Sequence, residues 1–148
     1  MKTFKNLLIA LFATLCGINA YALSFNHQGL EFTTTADYDD YSTVKLSGVF
    51  ISKSCVVVPD EIIYKDRKYL VTAIDNGVFA NDITLEEIEL PKQNINRIPE
   101  RCFANTKNLK KITLPESLIS IGESAFEKSG LNSIDIPDGV TEIGECAF

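Results

Sequence analysis

The sequence predicts an α/β repeat solenoid with a short parallel sheet, preceded by a β-rich amino-terminal cap. Three observations carry this prediction. The amino terminus has the order of an export signal, strand-like segments follow it up to about residue 79, and an apolar pattern then returns every 22 to 24 residues. We therefore divide the chain into a signal peptide at residues 1–22, a cap at residues 23–79 and repeats at residues 80–148.

The first 22 residues are typical of a secretory signal peptide. Two lysines precede an apolar run at residues 7–16, and Ala20 and Ala22 follow it. The run is roughly half of the about twenty apolar residues that span a bilayer. Cleavage is expected after Ala22, which predicts a secreted or cell-surface protein. Acylation at Cys16 is the alternative, but Leu15 is bulky where such sites need a small side chain.

The processed chain is more acidic than the full sequence. Removal of 22 residues leaves 126, with 12 basic and 20 acidic residues and a formal net charge of −8. Such acidity disfavours nucleic acid and anionic membrane surfaces as partners. No second apolar span follows the signal peptide, so we expect no transmembrane segment after its removal.

The predicted cap is rich in strand-like segments. Strands are expected at Leu30–Thr34, Thr43–Val49 and Cys55–Val58, and a β-hairpin is expected where residues 62–64 and 69–71 flank the turn at residues 65–68. A solenoid end exposes both apolar core and an unpaired strand edge. We interpret this segment as the cover for that end.

The repeat is marked by aromatic, aliphatic and proline residues that return in register. These markers are Phe79, Phe103, Phe126 and Phe148; Ile74, Ile98, Ile121 and Ile143; and Pro91, Pro115 and Pro137. Each of the three units begins L-x-x-I-x-[LI]-P, whose alternation predicts a strand buried on one face. The second half predicts a turn followed by one helical turn. A period of 22 to 24 residues lies in the leucine-rich-repeat range.

The units resemble the BspA-like leucine-rich repeats of bacterial surface proteins. That family's unit reads approximately L-x-x-I-x-I-P-x-x-V-x-x-I-G-x-x-A-F, and the third copy, Leu131 to Phe148, matches nearly every marked position. Phrases in the cap, such as Phe25 to Gly29 and Val44 to Val49, are similar to those that precede the family's repeats. The resemblance implies adhesion by a surface-exposed solenoid, to host matrix proteins or to other microbial cells.

Two departures from the family pattern bear on this expectation. Family members often carry cysteine three residues after the phenylalanine, where this chain has Asp82, Thr106 and Ser129. A buried cysteine stack is therefore not expected. The sequence also closes a repeat at Phe148 without a carboxy-terminal cap, which suggests that the array is truncated.

Two short segments look like nucleophile elbows but are better explained by the repeat. Gly122-Glu123-Ser124 and Gly144-Glu145-Cys146 occupy the same place in successive units, and His27 is the only imidazole in the sequence. We therefore do not expect an enzyme. Cys102 aligns with Ala125, which predicts a small buried residue beside the core phenylalanine.

No cofactor or metal site is expected. The cysteines that survive processing are Cys55, Cys102 and Cys146, whose irregular spacing suits neither a disulfide framework nor zinc. Asp37, Asp39 and Asp40 could bind calcium, but the segment lacks the glycine and the downstream glutamate of an EF-hand loop. A solvated loop is the better interpretation. His27 lies in a turn-like stretch, where we expect solvent exposure.

The outward positions of the repeat strands are the candidate binding residues. They are Glu86, Glu87 and Glu89 in the first unit, Lys110, Lys111 and Thr113 in the second, and Asn132, Ser133 and Asp135 in the third. In a parallel sheet these rows lie side by side, where they can form a cross-strand ion-pair ladder, a polar concave recognition face, or both. The recognition face is favoured because solenoids typically bind there. The function expected is an extracellular protein-binding module. The alternative is a structural spacer that presents another domain.

Overall fold

The computed structural model describes residues 24–35 and 43–148. The predicted signal peptide and the aspartates at positions 37, 39 and 40 lie outside these residues. Within the described part of the chain the fold is built from eleven β-strands and turns, and no helix that could span a bilayer is found there.

A five-stranded sheet forms the amino-terminal part of the fold. Its order is β1 (Ser24–His27), β2 (Leu30–Thr34), β3 (Thr43–Val49), β6 (Arg67–Ile74) and β5 (Glu61–Tyr64). All neighbours are antiparallel except β3 and β6, which are parallel. The predicted strands at 30–34 and 43–49 are confirmed with the same bounds. Buried Phe32, Val44, Leu46 and Val71 form the inner face of this sheet.

Two tight hairpins fix the register of this sheet. Lys65 and Asp66 join β5 to β6 with φ values of 50° and 62°, the positive pair that a type I′ turn requires. The predicted hairpin is thus confirmed. Gln28 and Gly29, with φ values of 54° and 89°, join β1 to β2 in the same way. His27 therefore ends a strand and is half-buried, which corrects its assignment to an exposed turn.

The repeats form two three-stranded parallel sheets. One consists of β4 (Cys55–Val57), β7 (Glu87–Glu89) and β9 (Lys111–Thr113), and the other of β8 (Arg97–Ile98), β10 (Ser120–Ile121) and β11 (Glu142–Ile143). In the first sheet β7 and β9 follow the predicted pattern, whereas β4 comes from the segment that was predicted to form a separate cap. The second sheet was not predicted, because two-residue strands leave no alternation to detect.

The helical turn predicted after each core isoleucine is wrong, and with it the α part of the α/β assignment. Gly77, Arg101, Ser124 and Cys146 recur at this point with φ between 51° and 62°. A residue in the left-handed backbone conformation cannot continue a right-handed α-helix. The backbone N–H of Gly77, Arg101 and Ser124 instead donates to a carbonyl of the next unit, at 2.9 to 3.0 Å. These turns are thus hydrogen-bonded along the solenoid, between units.

A column of phenylalanines runs along the core of the repeats. Phe79, Phe103, Phe126 and Phe148 stack with centroid distances of 5.2, 5.3 and 5.6 Å and interplanar angles of 10° or less. Beside the column, Cys102, Ala125 and Ala147 are all buried, so the small-residue interpretation of Cys102 is confirmed. Burial raises the pKa of the Cys102 thiol well above its ordinary value.

The third unit departs from the predicted strand pattern. Residues 131–136 form no strand, and the sheet that contains β4 ends at β9. Ile134 is only partly buried, and Ile136 and Phe148 are exposed, because no further unit covers this rung in the described residues. The prediction that Asn132, Ser133 and Asp135 continue the sheet is therefore wrong.

Candidate binding surface

The exposed side of the β4–β7–β9 sheet carries the predicted residues of the first two units. Register places Glu87 opposite Lys111 and Glu89 opposite Thr113, so the predicted side-by-side rows are confirmed there. Between them Ile88 is buried, as period-two alternation requires. We call the exposed side chains of this sheet the outer face; they are Cys55 and Val57 on β4, Glu87 and Glu89 on β7, and Lys111 and Thr113 on β9.

One predicted ion pair forms beside the outer face. Lys110 Nζ donates to Glu86 Oε2 at 2.6 Å, with side chains 68% and 45% exposed. A pair this exposed contributes at most about 1 kcal/mol to stability. Its backbone counterpart is the N–H of Lys110, which donates to the Glu86 carbonyl at 2.7 Å. The ladder interpretation therefore holds for this pair.

The charges on the outer face itself are not neutralised in the same way. Glu87, Glu89 and Lys111 are exposed, and none of them forms an ion pair with another described residue. Central strand β7 thus presents two carboxylates two residues apart, a spacing of about 7 Å. They remain available to a charged partner.

A groove that no sequence pattern indicated lies where the outer face meets the five-stranded sheet. Its volume is about 270 Å³, and its walls are contributed by the β1–β2 hairpin, the segment before β4, and β4 itself. The lining residues are His27, Gln28, Leu30, Ile51, Lys53, Cys55, Val56, Val57 and Pro59. We call this site the cap groove. Ile51 packs so tightly on Gly29 that a Cβ there would lie 1.9 Å from Ile51 Cγ2.

The elbow-like segments have a structural role. Ser124 is buried at a left-handed turn with φ 51°, and its N–H donates to the Glu145 carbonyl at 2.9 Å. Gly122 is required by packing, because a Cβ there would approach the backbone nitrogen of Glu100 to 2.7 Å. The glycine of each motif therefore admits close stacking of units.

The positions at which the family often carries cysteine make local hydrogen bonds here. Asp82 Oδ1 accepts from the Thr84 and Leu85 backbone N–H groups at 2.8 and 3.2 Å. Buried Thr106 donates its hydroxyl to the Phe103 carbonyl at 2.7 Å. Polar side chains thus close these turns. Among the described residues, no group of three or more potential metal ligands is clustered.

Comparison with known proteins gives one family and several similar structures. A family model described as BspA type leucine rich repeat region (6 copies) matches residues 71–148, more than half of the chain. No protein of curated function matches the sequence.

The similar solved structures include three bacterial proteins. A leucine-rich repeat protein of Bacteroides ovatus is 29% identical with a TM-score of 0.61, over 84% of this chain and 38% of that one. One from Bacteroides capillosus is 22% identical with a TM-score of 0.70, over 81% and 86% of the two chains. The pneumococcal vaccine antigen PcpA is 18% identical with a TM-score of 0.64, over 83% and 34%. This chain thus spans well under half of the Bacteroides ovatus protein.

Proposed function

Because this chain belongs to the BspA-type leucine-rich repeat family, we propose that it is an exported protein-binding module whose partner contacts the outer face. The proposal extends to adhesion, with extracellular-matrix proteins or the surface proteins of other cells as partners. Export is supported by the order of residues 1–22, with a basic start, an apolar run and a small-residue cleavage site.

The observation that carries the proposal is the contrast between the two sides of the same strands. On the inner side, Val56 and Ile88 are buried and Ile112 is partly buried, so every strand keeps a β-branched aliphatic residue. On the outer side, the chemistry changes from strand to strand. Packing constrains the buried positions, whereas the exposed positions can vary without disturbing the core. This is the arrangement of a repeat scaffold whose surface residues can be exchanged.

Uncompensated charge supports a partner at this surface. The two carboxylates of β7 and the ammonium of Lys111 lie on strands that are already paired, so binding has to order their side chains but no backbone segment. Opposite charges on a partner would set its orientation and its association rate. The exposed side chain of Val57, 57% accessible, adds apolar contact at the border of this charged surface.

The test is binding of the exported chain to a panel of purified extracellular-matrix proteins and to intact bacterial cells. Lys111→Glu reverses one unpaired charge without breaking the Glu86–Lys110 pair. For a partner captured on the panel, we expect at least about a tenfold loss of affinity, the scale of an interfacial charge contact. Lys107→Glu is the matched control, since this exposed lysine lies beside Asn81 and Asn105, in a different part of the repeats.

Equal affinity of wild type and Lys111→Glu for that partner would refute the outer face as its contact. If the chain captures nothing on the panel while a longer protein carrying it does, the repeats serve as a spacer. In that outcome the domain they present would carry the adhesion.

A further inference from the structure

We propose that the cap groove binds an extended segment of a partner protein by strand addition to the free edge of β4, and that this segment carries an apolar residue next to an aspartate or glutamate. The inference rests on the proposed function, since it specifies how a protein-binding module of this fold takes hold of its partner. It concerns a site separate from the charges of β7 and β9.

The first step is that β4 has an open edge. It is the first strand of the β4–β7–β9 sheet, and among residues 24–35 and 43–148 its only strand neighbour is β7. The Ser54 backbone carbonyl accepts from the Glu87 N–H at 2.8 Å, and the Val58 N–H donates to the Glu89 carbonyl at 2.9 Å. In a parallel pair the residues of a strand alternate in the direction of their backbone groups. Ser54, Val56 and Val58 therefore face β7.

It follows that Cys55 and Val57 direct their backbone N–H and C=O groups away from β7. These groups face the cap groove, which both residues line. A strand edge of this kind is a template for pairing with another chain. The open stretch is short, because Lys53 precedes it and Pro59 follows it, and both also line the groove. Charge and proline are the features that keep an edge from indefinite aggregation.

The groove next to this edge has the size and lining for a short peptide segment. Its volume of about 270 Å³ lies just below the usual range for small-molecule sites. Leu30, Ile51, Val57 and Pro59 supply aliphatic surface for an apolar side chain. Strand addition combines main-chain hydrogen bonds for affinity with such a pocket for specificity.

Charge complementarity selects the residue beside the apolar one. His27 and Lys53 line the groove, and none of its lining residues is acidic. Lys53 is exposed and forms no ion pair with any other described residue. A carboxylate on the bound segment would meet this ammonium. The same ammonium would repel a basic segment.

The probes are blocked octapeptides with a central Asp-Ile-Val, and matched peptides with Lys-Ile-Val. Occupancy is measured as protection of the exposed Cys55 thiol from alkylation by iodoacetamide. Cys146, exposed at the other end of the repeats, is the internal control, and Cys102 is buried. We expect the acidic peptide to slow alkylation of Cys55 alone, and the basic peptide to do so at much higher concentration. Equal protection by both peptides, or by neither, would overturn the proposed chemistry.

Two pairs of probes separate strand addition from side-chain docking. Val57→Pro removes one edge donor but leaves the bonds to β7 intact, whereas Val57→Ala keeps the donor and removes the side chain. We expect Val57→Pro to weaken the acidic peptide at least about fivefold relative to Val57→Ala, the scale of one main-chain hydrogen bond. Two further peptides are N-methylated, one at the odd and one at the even residues. Because only every second N–H of a paired strand faces its neighbour, one of these two methylation patterns should abolish binding and the other should not.

Charge reversal at Lys53 completes the test. Lys53→Glu should invert the preference between the acidic and basic peptides, with Lys107→Glu as the matched control. Strand addition is refuted if Val57→Pro stays folded and binds the acidic peptide with the same affinity as Val57→Ala. It is also refuted if the two methylated peptides bind equally well. A further outcome separates this inference from the proposed function. If neither peptide binds the groove, but Lys111→Glu still loses the partner captured on the panel, this inference is refuted and the proposed function stands.

Discussion

Replacement of Phe103 is expected to show how far one aromatic column stabilises the whole array. Phe103 is fully buried and stacks on both neighbours, on Phe79 at 5.2 Å and on Phe126 at 5.3 Å. Phe103→Ala removes a buried ring and leaves a cavity, which costs about 3–5 kcal/mol. Small domains have only about 5–15 kcal/mol in total. We therefore expect the alanine variant to be close to unfolded at physiological temperature.

Phe103→Leu isolates the stacking contribution, since leucine keeps most of the apolar volume. Two aromatic pairs at about 0.5–1.5 kcal/mol each predict a loss of about 1–3 kcal/mol. Phe148→Leu is the matched control, because Phe148 is 55% exposed and, among the rings that the structure describes, stacks on Phe126 alone, at 5.6 Å. Its loss should not exceed about 1.5 kcal/mol.

The assay is urea unfolding followed by far-ultraviolet circular dichroism, with the free energy obtained by linear extrapolation. A double-mutant cycle between Phe79→Leu and Phe103→Leu measures the coupling directly. The reasoning is refuted if Phe103→Leu destabilises the protein no more than Phe148→Leu does. A cycle with no coupling energy would likewise show that the rings are stabilised by burial alone.

Three further predictions concern packing, thiol chemistry and pH. Gly122→Ala should destabilise the protein by about 1–3 kcal/mol in urea unfolding, because its Cβ would lie 2.7 Å from a backbone nitrogen of the preceding unit. Gly139→Ala is the control and should cost less, since the nearest atom to its Cβ would be 3.2 Å away. Cys102 should stay unreactive toward Ellman's reagent in the folded protein and react only in denaturant, because burial raises its pKa and denies access; rapid reaction of three thiols in the native state would contradict this. The pKa of Glu127, lowered first by the hydrogen bond from Lys128, should be below the ordinary glutamate value in an NMR titration and should rise in Lys128→Gln. Because the pKa of Glu127 is lower in the folded protein, its ionised form stabilises the fold at pH values above the ordinary glutamate pKa. This stabilisation is lost as the pH falls through the folded-state pKa. An unchanged pKa of Glu127 in Lys128→Gln would show that Lys128 is not its cause.

Strands of the five-stranded sheet could be located from the sequence because their signals are local. The alternation at residues 30–34 and 43–49 marks one buried face. The hairpin was predicted with a turn at residues 65–68, of which Lys65 and Asp66 form the actual two-residue turn. The repeat was equally accessible, since a unit that stacks on copies of itself must place the same apolar residues in the same positions. The outer-face positions of β7 and β9 followed from that register.

Two features of the repeats depended on contacts between units that no single unit encodes. The turns after Ile98 and Ile121 look helical in one copy, but their N–H groups bond to the following unit, so the α assignment failed. The third copy matches the repeat pattern best, yet residues 131–136 form no strand. A short parallel strand is stabilised by its neighbours on the sheet and within the core, and sequence periodicity measures neither.

The sequence by itself determined the period of the repeat and the residues of the phenylalanine column, and it predicts an export signal at residues 1–22. Tertiary structure decided that β4 belongs to the repeat sheet, that no other described strand pairs with its free edge, and that Lys53 and His27 line the groove beside it. The physical reason is the range of the interactions. Periodic burial is written into neighbouring residues of the chain, whereas a groove between two sheets joins residues 26 positions apart through packing that only the folded chain contains.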